Sequence, residues 1–238
     1  MPPPPLPPVD SGLTSIHQPN FAPWTGYFDK LAGVSTFVLL DTVPYSKGSF
    51  ANRVHLLGRD GPQWLTVPVL TKGRLGQPTD EVEVNGARDW VTEHLGTIAA
   101  LYGRAPHVTA VRALLEPVYA AEHPLLADLC CDLIARVVDY LGYQTRLVRA
   151  SSLVHDGSSS DLLASLVTQV GGSTYVSGPS GRTYLDESCF TARGLAVTYH
   201  SYSPPAYPQG GRAFTPRLSI LDAIAWCGRG AADAIRSS

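Results

Sequence analysis

The sequence predicts an α/β fold: a mainly parallel, Rossmann-like sheet flanked by helices, with a helical insertion in the middle of the chain. Three observations predict it. Strand and helix signals alternate at both ends of the chain, helical periodicity dominates the middle, and 44% of the 238 residues are hydrophobic, which suffices for one large core. A parallel sheet buried between helices accounts for all three.

We predict a single α/β domain over residues 13–230, with a disordered Pro-rich tail at 1–12 and a C-terminal tail at 231–238. The opening MPPPPLPPVD lacks the basic and apolar segments of a signal peptide and is typical of solvated polyproline II. No apolar run approaches the ~18 residues of a membrane span. The sequence therefore predicts a cytoplasmic protein with no membrane partner.

Charge and cysteine usage narrow the classes of partner. The formal net charge is −2 and only 16% of the residues are charged, so the chain lacks the basic surface of a nucleic-acid-binding protein. The four cysteines show no C-x-x-C spacing and no histidines stand at metal-ligand spacing, so no metal site is predicted. We expect a small-molecule substrate and no nucleic acid. A homo-oligomer is compatible with the sequence, and the residues identify no cofactor.

The domain opens with a predicted strand, polar loop, helix and second strand. The first strand contains the apolar Leu13 and Ile16, a polar loop follows from His17, and Pro23 suits the first turn of the next helix. Gly33 is placed to end this helix in a left-handed cap. Residues 36–40 (TFVLL) predict a buried strand with Asp41 at its carboxyl end. The apolar stripe of the helix has i, i+3, i+4, i+7 spacing and consists of Trp24, Tyr27, Phe28 and Leu31.

An antiparallel hairpin and a helical region follow. Residues 54–57 and 64–69 flank the turn RDGP and predict the hairpin, and residues 81–84 (EVEV) alternate like a short strand. His94 and Cys130 fall on apolar helical faces, so we expect both in the core. The three helices predicted here span residues 88–102, 108–120 and 124–141.

The last part of the chain returns to alternating strands and helices. Strands are predicted at 145–149, 174–176 and 195–199. A helix at 162–170 lies between the first two, with the polar cluster 158–161 suited to cap it and Gly171 to end it. The final helix opens at a capping box, residues 219–222, and closes at Gly228.

Several motifs give the chain a resemblance to a known family. The pattern IHQP-x-F-x-PW-x-GYF-x-K begins at Ile16 and is followed by LD-x-V-x-Y, NR and WLTVPV; TYVSGPSGRTYLD, YPQ and LSILDAIAWCG come later. Together these motifs extend over roughly nine-tenths of the chain and resemble the WbqC family. This is a bacterial group often found with cell-surface polysaccharide or specialised-metabolite genes. The resemblance implies a role in biosynthesis and does not define the reaction.

The predicted catalytic residues are His17 and Asp41. Each follows a predicted strand, as do Gln18 and Asn20, and open α/β sheets bind ligands at the carboxyl edge of their strands. His17 would act as an acid–base group whose imidazole Asp41 orients, or as a hydrogen-bond donor to a phosphate. Asp41 is alternatively a turn former or the partner of a structural Arg53.

A late glycine loop is the second candidate region. Residues 177–182 (SGPSGR) follow a short strand, their glycines allow close backbone approach, and Arg182 supplies a fork for phosphate or carboxylate. A plain surface turn is the alternative. The predicted substrate-binding residues come from both regions and from the loops beside them. They are Gln18, Asn20, Trp24, Tyr27, Tyr45, Lys47, Asn52, Arg53, Ser177, Gly178, Arg182, Tyr207 and Gln209.

These residues favour a small-molecule biosynthetic enzyme of group-transfer or ligase type. It would transfer an acyl, aminoacyl or nucleotidyl-like group to an amine, amino acid or amino-sugar intermediate. Two alternatives stay open: a non-catalytic binding or scaffold subunit, and a hydrolase in which Ser177 or Cys189 is hydrogen-bonded to His17. An enzyme predicts that His17, Arg53 and Arg182 converge on one cavity, whereas a scaffold predicts them dispersed beside an exposed apolar patch.

Overall fold

The computed structural model of the chain describes residues 12–154 and 157–236. The predicted Pro-rich tail lies outside the described residues up to position 11, and the predicted C-terminal tail lies outside them from position 237. Within the described ranges the chain forms a five-stranded parallel sheet with packed cores on both faces, and a separate two-stranded hairpin. This confirms the predicted fold class.

The strands coincide with the apolar or alternating runs of the sequence. They are β1 (Leu13–His17), β2 (Thr36–Leu39), β3 (Arg53–Gly58), β4 (Gly61–Thr66), β5 (Arg146–Arg149), β6 (Thr174–Ser177) and β7 (Ala196–Tyr199). The main sheet has the order β5-β2-β1-β6-β7, and every neighbouring pair is parallel. β3 and β4 form the predicted antiparallel hairpin.

The direction in which the chain crosses the sheet reverses beside β1. From β1 the chain moves to β2 and β5 on one side, and then returns to place β6 and β7 on the other. The pairing of β1 with β6 aligns Leu13 with Thr174, and Ser15 Oγ donates a 2.7 Å hydrogen bond to Val176 O. The carboxyl ends of β1 and β6 therefore flank a topological switch point, where open α/β sheets bind ligands.

Helices cover both faces of the sheet. They are α1 (Thr25–Ala32), α2 (Trp90–Tyr102), α3 (Val108–Ala120), α4 (Leu126–Leu141), α5 (Ser159–Gln169), α6 (Ser188–Thr191), α7 (Ile220–Cys227) and α8 (Ala231–Ala234). α2, α3 and α4 form the predicted insertion. Side chains alternate along β2, so Phe37 and Leu39 join the core of α1 and the insertion, whereas Val38 packs on the α5 face. None of the helices in the described ranges has the length and apolar content that a membrane crossing requires.

The ends of two helical regions differ from expectation. Gly33 has φ −86°, outside the left-handed region, because the chain turns straight toward β2 and the N–H of Val34 bonds to Leu31 O at 3.3 Å. At the other end of the chain, Ala231–Ala234 form α8 within the range predicted as a C-terminal tail. The predicted left-handed cap at Gly33 is therefore wrong.

Residues 81–84 do not form the predicted strand. Thr79–Glu81 is a 3-10 helix, and Val84 makes an isolated bridge to Val69 that no ladder extends. Val82 is buried and Val84 packs beside it, which explains the alternation of EVEV without a partner strand. Inward-facing valines in an extended loop give the same pattern as a half-buried strand.

Candidate functional site

A cleft of about 290 Å³ opens at the switch point, between the carboxyl ends of β1 and β6. We call it the switch-point cleft. Its walls come from the end of β1, from α1, from the loop after β6 and from the residue that follows β7. The lining includes His17, Trp24, Tyr27, Lys30, Ser180 and His200. A neighbouring pocket of about 380 Å³ on the α5 side shares His17 and Tyr175 with the cleft.

His17 ends β1 and lines both cavities. Its Nδ1 lies 3.0 Å from the carbonyl oxygen of Gln18, and a carbonyl only accepts, so Nδ1 carries the proton and Nε2 presents a lone pair. Burial, and then the positive charge of Lys30, lower the pKa of His17 to about 3. The imidazole is therefore uncharged at neutral pH. Tyr27 packs edge-on against it, with ring centroids 4.9 Å apart.

Lys30 is a buried lysine of α1, with 5% of its surface exposed. Its Nζ donates a 3.4 Å hydrogen bond to Ile16 O and lies 5.4 Å from the centroid of the Phe37 ring. Removal from water disfavours the charged form, and this burial lowers the pKa of Lys30 to about 7. A large fraction of the amine is therefore uncharged at neutral pH, beside the imidazole of His17.

His200 and Asp29 form a hydrogen-bonded pair at the cleft. His200 follows β7, where its N–H bonds to Ser177 O at 2.8 Å, and its Nε2 lies 2.6 Å from Asp29 Oδ2 on α1. Because a carboxylate accepts, Nε2 carries a proton and Nδ1 is the nitrogen that can exchange one. Arg236 Nε stands 3.6 Å from the other oxygen of Asp29. The structure thus contains a carboxylate-oriented imidazole, built from residues other than His17 and Asp41.

The loop after β6 forms the opposite wall of the cleft. Pro179–Thr183 make a 3-10 helix, and Gly178 and Ser180 line the cavity. Ser177 is buried beneath this loop, and its Oγ donates to Gly178 O at 3.2 Å. Gly181 passes so close that a Cβ there would lie 2.1 Å from Ser177 Oγ. A side chain at position 181 would therefore displace the Ser177 hydroxyl, so glycine lets the loop fold closely over the end of the strand.

Arg182 does not line the cleft. Its guanidinium lies over the ring of Tyr199, 4.1 Å from the centroid, and the Tyr199 hydroxyl donates to Glu187 Oε1 at 2.6 Å. The structure therefore brings His17 and the glycine loop to one cavity and leaves the Arg182 side chain outside it. The stacking explains why, since a guanidinium plane packs well on an aromatic face.

Trp24 closes one side of the cleft. It packs edge-on against Tyr202, with ring centroids 5.4 Å apart, and a Cβ at Gly26 would lie 2.4 Å from Trp24 and 2.6 Å from Tyr202. The far end of the chain fixes this loop, because Ser219 Oγ donates to Ala22 O at 2.7 Å and Ser219 bridges to Trp24. The PW and LSILD motifs, distant in sequence, therefore position one wall together.

Asp41 lies at the end of β2, and both oxygens of its carboxylate accept hydrogen bonds from groups other than His17. Oδ2 accepts hydrogen bonds from Arg149 Nε and Ser151 Oγ, both at 2.7 Å, and Oδ1 accepts from the N–H of Ser151 at 2.9 Å. No hydrogen bond joins Asp41 to His17 in the described part of the chain. Asp41 thus ties β2 to the segment after β5, and its structural arginine is Arg149 rather than Arg53.

The loop before β3 and the first residue of that strand carry four predicted binding residues, none of which lines either cavity. Asn52 is buried, and its Oδ1 accepts a 2.9 Å hydrogen bond from the hydroxyl of Tyr45. Arg53 stacks on Trp64, 4.1 Å from the ring centroid, and Lys47 is exposed. These contacts fasten the loop to the hairpin.

The remaining predicted binding residues fall in three places. Gln18 lines the neighbouring pocket, and Asn20 is buried outside both cavities. Tyr207 and Gln209 bind the buried Asp222, to which they donate hydrogen bonds of 2.8 and 3.0 Å. Burial raises the pKa of that carboxyl. The YPQ motif therefore supports the start of α7 rather than the cleft.

Sequence reasoning missed Asp29, Lys30 and His200 as site residues. Lys30 is the lysine of GYF-x-K, so the motif contained a signal, but nothing local showed that its amine is buried. In the sequence, His200 is simply a histidine that follows a predicted strand. It reaches α1 because β7 pairs with β6, and strand order is a long-range property of the chain.

The sheet order and the cleft define an open, doubly wound α/β protein with a ligand-sized cavity at its switch point. Across residues 12–154 and 157–236, no three or more His, Cys, Asp or Glu side chains are grouped to hold a metal ion. The chain belongs to the WbqC-like protein family, which matches residues 18–234.

A sequence relative matches nearly the whole chain. This chain is 36% identical over 224 residues to the uncharacterized protein Rv1507c of Mycobacterium tuberculosis, an alignment that covers 93% of this chain and 96% of that protein. No solved structure gives a significant match. Family membership therefore agrees with the resemblance in the motifs.

Proposed function

We propose that this protein is a small-molecule biosynthetic enzyme that transfers an acyl, aminoacyl or nucleotidyl-like group to an amine or hydroxyl acceptor in the switch-point cleft. One observation supports the proposal above all: His17, Lys30 and His200, from three different elements, line one cavity at a sheet edge suited to ligands. The volume of about 290 Å³ is at the lower end of the range for ligand pockets, which suits a small metabolite.

In this proposal His200 is the general base. It takes a proton from the N–H or O–H of the acceptor, whose electron pair attacks the carbonyl carbon or phosphorus of an activated donor. The leaving group departs with the electrons of the broken bond. Asp29 accepts the hydrogen bond of Nε2–H and so fixes the orientation and tautomer of the imidazole. His17 accepts a hydrogen bond from the substrate through Nε2, between the rings of Trp24 and Tyr27 that bound the cleft.

Two of the sequence predictions change in this scheme. His17 becomes a substrate-binding residue, and Asp41 becomes a structural one because Arg149 and Ser151 occupy its carboxylate. A hydrolase would need Ser177 or Cys189 hydrogen-bonded to His17. Ser177 Oγ instead donates to a backbone carbonyl, so the geometry favours transfer over hydrolysis by a serine nucleophile.

A binding subunit is the second candidate, and two observations favour it. The predicted convergence of His17, Arg53 and Arg182 on one cavity is wrong, because both arginines lie outside the cleft, and an exposed aromatic cluster stands beside the hairpin. Phe50 and Trp64 are 47% and 39% exposed, with ring centroids 5.5 Å apart, and the His55 ring lies 3.7 Å from that of Trp64. Aromatic side chains are enriched in protein interfaces. If the protein is a binding subunit, Trp64→Ser should abolish its effect on product formation by the assembly, whereas His200→Asn should not.

A thermal-shift screen followed by turnover assays tests the proposal. ATP, nucleotide sugars, acyl-CoA and amino acids are the probes, and a ligand at about 100 times its Kd adds about 2.7 kcal/mol to the free energy of unfolding. We expect His200→Asn to bind ligand but lose turnover by about 10²–10⁴-fold. His123→Asn is the matched control, because His123 pairs with Asp132 at 3.1 Å outside the cleft. Absence of any shift in the wild type, or equal turnover in both variants, contradicts the proposal.

A further inference from the structure

Lys30 is a buried lysine whose amine has only weak contacts in the described ranges, a long hydrogen bond and the face of the Phe37 ring. It is 5% exposed and lines the switch-point cleft, and within residues 12–154 and 157–236 its one side-chain hydrogen bond is the 3.4 Å contact with Ile16 O. Across the described ranges no carboxylate forms an ion pair with Nζ, and the neighbouring Asp29 pairs with His200 and Arg236 instead. Buried lysines without a paired carboxylate are rare in cores and common where the amine reacts.

We propose that Lys30 is an amine nucleophile that forms an imine with a carbonyl-bearing ligand, an aldehyde or a ketone, in the switch-point cleft. The inference rests on the proposed function, since it takes the same cleft as the binding site. It adds the chemical class of one substrate and a covalent role for this side chain.

The step balances without any further reactant. The lone pair of Nζ attacks the carbonyl carbon, and the carbonyl oxygen takes up a proton as the nitrogen loses one. The resulting carbinolamine then expels its hydroxyl as water as the nitrogen gives up its second proton, which leaves a C=N bond; nothing is oxidised or reduced. An amine acceptor that attacks the imine carbon passes its two N–H protons to Nζ as the carbon–Nζ bond breaks, which frees the lysine and leaves a new imine on the acceptor. This exchange transfers an alkylidene group, rather than an acyl group, to an amine.

The surroundings of Nζ suit this chemistry. Only an uncharged amine attacks a carbonyl, and burial lowers the pKa of Lys30 to about 7. At pH 7 the uncharged fraction is about a thousandfold larger than for a lysine with the ordinary pKa of about 10.4. His17 presents the lone pair of Nε2 in the same cleft and can accept a hydrogen bond from an N–H of the attacking amine, which orients that amine. The other titratable side chains of the lining are Tyr27, Tyr175, Tyr184 and His200.

The sequence offers internal controls, because it contains only three lysines. Lys47 and Lys72 lie in exposed loops, outside the cleft. The folded protein is incubated at pH 7 with glyoxylate, a small aldehyde, and sodium cyanoborohydride, which reduces an imine to a stable secondary amine. Peptide mass spectrometry then gives the labelling rate of each lysine and, separately, of the terminal amine.

We expect Lys30 to be labelled at least about tenfold faster than Lys47 or Lys72. The gain is smaller than the roughly thousandfold difference in uncharged amine because burial restricts the access of the reagents to Lys30. The selectivity should vanish in urea. The double variant Lys47→Arg/Lys72→Arg should still take up one glyoxylate per chain at position 30. Labelling of Lys30 no faster than of the loop lysines overturns the inference. If probes from the ligand screen bind the cleft in that case, the proposed function stands and only the imine fails.

Discussion

His94 and His200 show what decides the role of a histidine. His94 lies on the buried face of α2, and both of its nitrogens are used, Nδ1 at 3.0 Å from Tyr119 OH and Nε2 at 2.9 Å from Thr66 O. It is the core residue that helical periodicity predicts. His200 has one nitrogen on Asp29 and stands at a cavity. The difference depends on partners far away in the sequence, which no local pattern contains.

Gly26→Ala should destabilise the protein and disturb the wall that Trp24 forms. A Cβ at position 26 would lie 2.4 Å from Trp24 and 2.6 Å from Tyr202, so at least one ring must move. Overpacking of this kind costs about 1–3 kcal/mol in the free energy of unfolding. Gly96→Ala is the control, because no atom lies within 4 Å of its Cβ position on the exposed side of α2. Alanine there should stabilise by up to about 1 kcal/mol.

Urea unfolding compares the two glycine variants directly. A Gly26→Ala protein as stable as Gly96→Ala would show that Trp24 and Tyr202 are not packed as described. Ligand binding provides the second readout, since displacement of Trp24 should weaken binding in the cleft even where the fold survives.

Asp41 connects three elements at the end of β2. It is fully buried and binds Arg149 at the end of β5, and Arg149 Nη1 also lies 2.5 Å from Asp128 of α4. The sequence places a carboxylate after the strand, but its partner comes 108 residues later. For this reason a catalytic role and a structural role could not be separated before the sheet order was known.

Asp41→Asn should lower the free energy of unfolding by about 3 kcal/mol. Loss of one charge of a buried ion pair leaves the other charge poorly compensated, which costs about 3–5 kcal/mol. We expect the lower value because Arg149 retains its ion pair with Asp128 and its side chain is 34% exposed. Glu116→Gln is the control: Glu116 pairs with Arg112 on the exposed side of α3, and such pairs contribute about 0.5 kcal/mol or less. Unchanged stability together with lost turnover would instead return Asp41 to a catalytic role.

Ser219→Ala should cost about 1–2 kcal/mol and loosen the loop that carries Trp24. Ser219 Oγ accepts from the N–H of Leu221 at 3.2 Å, which caps α7, and donates to Ala22 O at 2.7 Å. Ser158→Ala is matched to it, because Ser158 precedes α5 at the same cap position without a side-chain cap hydrogen bond. Thermal unfolding should separate the two variants. Equal losses would mean that the bonds of Ser219 contribute little.

Local periodicity accounts for most elements of the molecule but not for their assembly. α4 follows its apolar stripe and ends at Gly142, with φ 76°, where the sequence predicts the stop. No local signal specifies that β1 pairs with β6. The same limit applies to the site. Strand ends pointed to His17 and to the glycine loop, whereas the burial of Lys30 and the stacking of Arg182 on Tyr199 depend on packing that only the whole fold determines.

Acid should destabilise this protein through two buried histidines. Burial lowers the pKa of His17 to about 3 and that of His94 to about 4, from the ordinary histidine value of about 6.5. Below about pH 6.5 these histidines bind protons in the unfolded chain but not in the folded chain, so the free energy of unfolding falls as the pH drops. Above about pH 6.5 both are uncharged in either state, and this loss is absent. We expect the thermal midpoint to decline between about pH 7 and about pH 4.

Substitution of each histidine measures its share of the acid-induced loss of stability. His94→Gln should make the acid-induced loss shallower, by up to about 3 kcal/mol over the whole range. Gly96→Ala, which changes no titratable group, should keep the wild-type slope. A slope that neither His94→Gln nor His17→Gln changes would mean that other groups cause the acid response.

The two walls of the cleft come from strands that synthesis separates widely. Ser15 and Val176, which join β1 to β6, are 161 residues apart. A nascent chain therefore leaves one edge of its central strand open until β6 emerges from the ribosome, and an open edge is where strands of different chains join. Chaperone contacts with this edge should end when β6 pairs with β1. During refolding, the ability to bind a ligand in the cleft should appear at this last step and not at the initial collapse.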